Sequence, residues 1–424
     1  MRLGPILKRA EPLKRGFWGL VSQGVNTLGN LLATFFVASN CSSVIFGAWA
    51  VGYACVLAVL PISRSVGSTP MLLTSHRKQI GTESGAVASS FWLGLTAGLG
   101  LGIVGLIVGG NLATALLAFS VAMPLFLFQD AIRYVFISRK QTSRTALIDA
   151  TWLVMQIAGF GVLLLTGTVT APAITLVWAG SALLSCVCAL RSGALCVGPL
   201  TAYRYFEKNK WAVARLTPEA ILQGVSTNGI PVILAAVAGL SSTAALRAGQ
   251  TLFGPLNILV AGVSPVITVE AVSILRSGGS QWRIVSLWSV TIAVFGGVVS
   301  TIAFLIPEVW GHALLGNSWD LVPIVLLPLA IQAIIRGPFV CGPLILRARH
   351  LLNEALVLRV INSVVQFGAP VIGIFLAGAR GAAWGIAISA AIRGVLAIVW
   401  LRQTEDRFGH KMADNGEGDE PNLN

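Results

Sequence analysis

Two arginines stand at matching places in a repeated octapeptide. "QDAIRYVF" (129–136) and "QAIIRGPF" (332–339) share Gln, Ile, Arg and Phe, which pairs Arg133 with Arg336. Both fall inside apolar runs, as do Arg247 and Arg393. A guanidinium in such surroundings is costly unless it meets an anion, and phosphate oxygens match its planar fork. The plain alternative is that Arg133 and Arg336 snorkel to the membrane surface, and that Arg393 and Arg247 are structural salt-bridge partners. A second set is built of amides. Gln23, Asn26 and Asn30 recur at helical spacing, and Gln223 and Asn228 stand two hundred residues later in "QGVSTNG", an echo of "QGVNTLG" at 23–29. These amides suit sugar hydroxyls in a wet cavity, or bonds between helices. The acids within or at the ends of apolar runs are Asp130, Asp149 and Glu270. Asp130 and Glu270 are candidates for ion coupling, although Asp130 lies three residues before Arg133, where the two can pair on one helical face.

Those residues must be carried by membrane-spanning helices. Of 424 residues, 55% are hydrophobic and only 11% charged, against about 25% charged in an ordinary soluble domain. Apolar stretches long enough to cross hydrocarbon recur along the chain without the alternation of a β-barrel. The expectation is an all-α, polytopic protein with twelve helices: 17–39, 44–63, 87–109, 113–137, 147–167, 172–190, 218–238, 244–268, 284–306, 321–345, 355–377 and 381–401. The echoes fall in the first and seventh helices and in the fourth and tenth. That implies two parallel six-helix pseudo-repeats, 17–190 and 218–401, with a basic cytoplasmic amino terminus (1–16), a cytoplasmic linker (191–217) and a disordered cytoplasmic tail (402–424).

The net charge of +13 is a topology signal. Lys and Arg gather in the amino terminus and in alternate connections (Arg64, Arg77 and Lys78; Arg139, Lys140 and Arg144; 191–215; Arg276 and Arg283; Arg347 and Arg349; the tail), while the intervening connections are nearly uncharged. Both termini are therefore expected in the cytoplasm, with no cleavable signal peptide and no nucleic-acid partner. Six cysteines lie mostly in or beside apolar helices without metal-type spacing to His, so neither a metal nor another cofactor is expected. Gly-rich "GLTAGLGLGIVGLIVGG" (94–110) suits close helix packing. The longest uncharged-side loop, "PEVWGHALLGNSWD", holds Glu308, His312 and Asp320. An acid–base set there would make a membrane glycan enzyme, but so short a loop reads better as an aqueous cap.

With that organisation, "SQGVNTLGNLLATFFVAS", "FGAWAVGYACVLAVLP", "RYVFISRKQTSRTALID" and "LLGNSWDLVPIVLLPLA" resemble the loose signatures of polysaccharide (O-antigen and exopolysaccharide) flippases, a branch of the multidrug/oligosaccharidyl-lipid/polysaccharide, or MATE-like, transporter superfamily. The resemblance covers about 17–401. It implies a non-enzymatic protein of the inner (plasma) membrane that moves an undecaprenyl-pyrophosphate-linked oligosaccharide between leaflets, alongside a polysaccharide polymerase or glycosyltransferases. The alternative within the superfamily is a cation-coupled multidrug or metabolite antiporter. The first helix lacks the carboxylate that many drug antiporters carry there, which counts against that alternative.

Overall fold

The computed structural model describes residues 4–74, 80–189, 197–276, 280–349 and 351–414. Among them the secondary structure is helical throughout. The helices in chain order are α1 (Gly4–Asn40), α2 (Ser43–Ser63), α3 (Thr69–Thr74), α4 (Ile80–Val108), α5 (Gly110–Ser138), α6 (Thr142–Thr166), α7 (Ala171–Ala189), α8 (Pro199–Asn228), α9 (Ile230–Ala238), α10 (Leu240–Leu252), α11 (Gly254–Arg276), α12 (Gln281–Leu305), α13 (Glu308–Leu315), α14 (Pro323–Ile335), α15 (Gly337–Ala348) and α16 (Leu352–Asp414). A π-helical turn at Arg64–Ser68 joins α2 to α3. Nine of these segments among the described residues are long and apolar enough to cross a membrane, and the pair α8 and α9, bent by 44° at Gly229, makes a tenth. The chain is a multi-pass membrane protein.

Several stretches read from sequence as single helices are broken. The 244–268 stretch divides at Phe253, and 321–345 divides at Arg336. Gly337 and Pro338 follow that second break. The proline has no N–H for the helical ladder and its ring disfavours continuation through the preceding turn. The helices expected at 355–377 and 381–401 remain two: α16 consists of two helices that meet at a kink, with non-helical backbone at Ala377 (φ −152°) and Gly378 (φ 55°). Gly378 can hold this left-handed conformation because it has no Cβ. The linker expected at 191–217 is helical from Pro199 onward, and 191–196 lie outside the described residues. Tyr205 and Val213 are buried, and the Tyr205 hydroxyl donates to the Gly67 carbonyl at 2.7 Å. Packing of this face orders a segment that its polarity marked as a connection. The tail is likewise helical as far as Asp414, anchored where Trp282 Nε1 donates to Glu405 at 2.6 Å; 415–424 lie outside the described residues.

The N-terminal helices α1 to α7 pack around an aromatic core. Trp49, Tyr53, Phe119, Phe126, Trp152 and Trp178 are all buried, with Trp178 contacting Trp49, Tyr53, Phe126 and Trp152 at centroid distances of 4.5 to 6.3 Å. The indole N–H groups of Trp49 and Trp152 are satisfied by Thr175 Oγ1 and the Trp178 carbonyl, as burial requires. Among the C-terminal helices, α14 and α15 pack on α16 and α12.

The two groups meet mainly through α2, which packs on α8, α9 and α10. Glycine permits the contact at both ends of α2. A Cβ on Gly47 would fall 1.9 Å from the Leu240 carbonyl oxygen, and one on Gly224 would fall 2.2 Å from that of Ala58. Gly47→Ala is therefore expected to push α2 from α10 and destabilise the protein by about 1–3 kcal/mol. Gly161→Ala, a helical position with open space, should match the parent in thermal unfolding in detergent. Equal behaviour of the two variants would mean that the α2–α10 approach is not a packing constraint.

Candidate functional site

Two cavities within the helical bundle are lined in part by polar and charged side chains. The larger, about 470 Å³ in volume, is lined by α1, α2, the α8–α9 break, α10, α11, α14, α15 and α16. The smaller, about 70 Å³, lies among α1, α2, α5, α6 and α7. Asn30 and Tyr53 border both. The larger falls within the range of small-molecule sites.

The repeated octapeptide supplies one wall of each. Gln129 and Arg133 line the smaller cavity, Gln332 and Arg336 the larger. The two copies differ at one decisive position: Asp130 in the first is Ala333 in the second. Around the first copy, Arg64 Nε and Nη2 donate to the two oxygens of Asp130, both at 2.8 Å. Arg133 Nη1 lies 3.5 Å from Asp130, and its Nε lies 2.9 Å from Asp149. Ser22 of α1 donates to Asp149 and accepts from Arg133 Nη2 at 3.3 Å. Two guanidinium groups and two carboxylates thus form a formally neutral cluster, buried at Asp130, Arg133 and Asp149 and about a third exposed at Arg64. Asp130 takes its bidentate bond from Arg64, not from the neighbour on its own helix. Arg64 was legible in the sequence only as a topology charge.

Around the second copy the arginines lack acids. Arg336, at the α14–α15 break, donates to Asn257 Oδ1 at 3.0 Å. Arg393 donates to Gln366 Oε1 at 2.7 Å and to the Ser389 carbonyl at 3.2 Å, with its guanidinium 4.1 Å from the Phe339 ring centroid. Arg247 lies 4.5 Å from the Tyr53 centroid. No Asp or Glu lines this cavity among the described residues. Its remaining polar lining is of amides and hydroxyls, including Thr27, Thr34, Asn228, Gln250, Thr251 and Gln332. The Nε atoms of Arg247 and Arg336 are buried without a hydrogen-bond partner. Three cations converging on a cavity without acids leave a net positive field, suited to a polyanion and hostile to a cation.

The other residues singled out from sequence divide between the cavities and elsewhere. Asn30 reaches both, and its amide donates to Asn26 Oδ1 at 3.3 Å; Asn26 lines the smaller. Asn228 lines the larger while its amide donates across to the Leu57 carbonyl of α2 at 3.2 Å. Gln23 and Gln223 line neither and are exposed; Gln223 accepts from Arg359 at 2.7 Å. Glu270 also lies off both and accepts from Trp288 Nε1 at 2.8 Å. Tyr53, Asn257, Phe339 and Gln366 were not anticipated. Gln366 had a signal, an amide in an apolar helix four residues after Asn362, whereas Tyr53 reads as an ordinary core aromatic.

No family model matches the chain, and no curated protein matches it in sequence. Solved structures match along nearly its whole length. An inward-facing multidrug resistance MATE family transporter of the MOP superfamily aligns with TM-score 0.67 at 14% identity, covering 92% of this chain and 99% of the other. The chain has a MATE transporter fold. An outward-facing multidrug resistance MATE transporter aligns with TM-score 0.61 at 13% identity, over 94% and 96% of the two chains. A MOP superfamily transporter from Pyrococcus furiosus, described by a binding pocket of reverse polarity that suggests a different function, aligns with TM-score 0.58 at 14% identity over 93% and 95%. These likenesses are of fold, and the polysaccharide branch is distinguished by none of them.

Proposed function

We propose that this protein is an alternating-access transporter that carries an anionic, lipid-linked oligosaccharide across the cytoplasmic membrane, with a pyrophosphate held by Arg336, Arg393 and Arg247. The observation that carries the reading is the acid-free, three-arginine lining of the larger cavity. Arginine is expensive in the bilayer, and one that faces a polar cavity without a carboxylate marks a substrate path by default. Amides around the arginines would bind sugar hydroxyls, while Asn30 and Asn228 contribute from opposite helix groups. In this reading Arg133 keeps α1, α2, α5 and α6 in register through its carboxylates, and the twelve helices form two parallel repeats that rock about the cavity.

A cation-coupled drug antiporter is the second reading, favoured by the likeness in fold to multidrug MATE transporters. Its difficulty is electrostatic. Cationic drugs would enter a field of three arginines, and the carboxylates Asp130 and Asp149 are engaged by arginine. Deleting the gene separates the two readings. Loss of a surface or secreted glycan, with lipid-linked oligosaccharide retained on the cytoplasmic leaflet, is the expected result; intact glycan with new drug sensitivity would transfer the assignment to the antiporter.

Topology supplies a further check. Reporters fused after Ser192 and in the tail should read cytoplasm, and one inserted near Gly316 should read the exterior. An exterior signal after Ser192 would end the two-repeat reading.

A further inference from the structure

Tyr53 and Arg247 form a contact between the two helix groups at the wall of the cavity itself. Tyr53 belongs to α2 and is 5% exposed, fixed against Trp49 and Trp178. Arg247 belongs to α10, and its guanidinium lies 4.5 Å from the Tyr53 ring centroid. On the same two helices Gly47 meets Leu240 backbone to side-chainless backbone. Both helices start from the end where Gly316 packs on Ala38 and Ser39 and Gly378 approaches Ala238. Counting six residues from Gly47 and seven from Leu240 places the Tyr53–Arg247 contact roughly 9–10.5 Å deeper than the glycine contact. The closed end of the bundle is therefore stacked in two levels, an uncharged seal of backbone contacts and, beneath it, a cation on an aromatic face open to the substrate cavity.

We infer that Arg247 is shared between closure and substrate: resting on Tyr53 it latches the loop end shut, and a phosphate oxygen arriving in the cavity draws it off the ring and favours opening. The chemistry gives the direction. Arg247 has no carboxylate partner among the described residues, and its Nε is buried unbonded. A phosphate offers charge and acceptors that an aromatic face cannot. Since a ligand shifts a conformational equilibrium only by binding two states unequally, competition for one guanidinium supplies the required difference. The inference rests on the anionic-substrate reading for its trigger, but the latch is testable without substrate.

The test uses the full chain in detergent, with native cysteines replaced and Ala38→Cys as reporter. Ala38 is wholly buried, beside Gly316, so its maleimide labelling rate reports opening of that end. Tyr53→Leu and Arg247→Gln should each raise the rate roughly tenfold to thirtyfold, the equivalent of losing a desolvated cation–π contact. Tyr53→Phe, which keeps the ring and loses only the hydroxyl's bond to Arg247, should raise the rate less than Tyr53→Leu and guards against misfolding as the cause. Geranyl pyrophosphate should accelerate labelling of the parent but not of Arg247→Gln. Parent-like labelling in both Tyr53→Leu and Arg247→Gln overturns the latch. Calorimetry with the same probe separates the failures. Absence of binding to the parent removes the anionic trigger, while binding without acceleration removes the coupling and leaves the anionic site standing.

Discussion

Asp130→Ala should leave little folded protein in the membrane. The substitution takes from Arg64 the carboxylate it now holds bidentately at 2.8 Å, and leaves Arg133, 3.5 Å from Asp130, with Asp149 alone. Removing one partner of a buried ion pair costs about 3–5 kcal/mol, and the low end applies here, because the Arg64 side chain is 34% exposed and Arg133 keeps Asp149. A loss of only 1–2 kcal/mol already changes cellular abundance several-fold. Asp149→Ala should behave alike, since Arg133 and Ser22 both depend on that carboxylate. The controlling variant removes charges in pairs. Arg64→Met with Asp130→Leu restores neutrality and much of the volume, and should recover most of the abundance lost by Asp130→Ala, because replacing a whole buried pair by apolar groups is often nearly neutral. Fluorescence-detected size exclusion of the heated variants measures this. Full abundance and parent-like thermal unfolding of Asp130→Ala would mean that the cluster is not structural, and would return Asp130 to consideration as an ion-coupling group.

Much of this architecture was open to sequence because lipid allows so few solutions. A long apolar run must become a helix, and most run boundaries fall near helix ends. The departures trace to packing that composition does not encode. Tyr205 and Val213 bury one face of a polar segment and make it helix, and Arg336 stands at a break set by the Gly337–Pro338 pair that follows. At the site, the repeated octapeptide led to both cavity walls, but its internal difference carried the information that mattered. Asp130 has no counterpart because the second copy has Ala333, and that exchange, together with Asp149 of α6, leaves one arginine neutralised and its twin free of acid. Spacing alone could not pair Asp130 with Arg64, which is 66 residues away, nor set Tyr53 under Arg247. Such contacts depend on how α2 crosses its neighbours. Gln23 and Gln223 show the converse error: an echo of five residues in seven put both on exposed positions, so repetition marks equivalent places and not function.

That contrast yields the prediction that separates the twin arginines. Arg336→Ala should keep normal membrane abundance and lose transport, because Arg336 bonds only to the Asn257 amide and lines an open polar cavity. If it grips the pyrophosphate, the loss is a charge-assisted hydrogen bond of about 1.5–3 kcal/mol, or roughly tenfold to a hundredfold in substrate affinity. Arg393→Ala should follow it, and the double variant should fall further. Lys at either place should rescue in part, keeping the charge but not the fork that meets two oxygens. Arg133→Ala should show the reverse pattern, low abundance from the buried Asp149 carboxylate left without its arginine, with the molecules that do fold still exporting. The measurement is glycan export normalised to the amount of protein in the membrane, across Ala and Lys variants at 133, 336 and 393. Normal export by both Arg336→Ala and Arg393→Ala would remove the phosphate site from the larger cavity. Defective export by Arg133→Ala at full abundance would move it into the smaller one, where the repeat first drew attention to it.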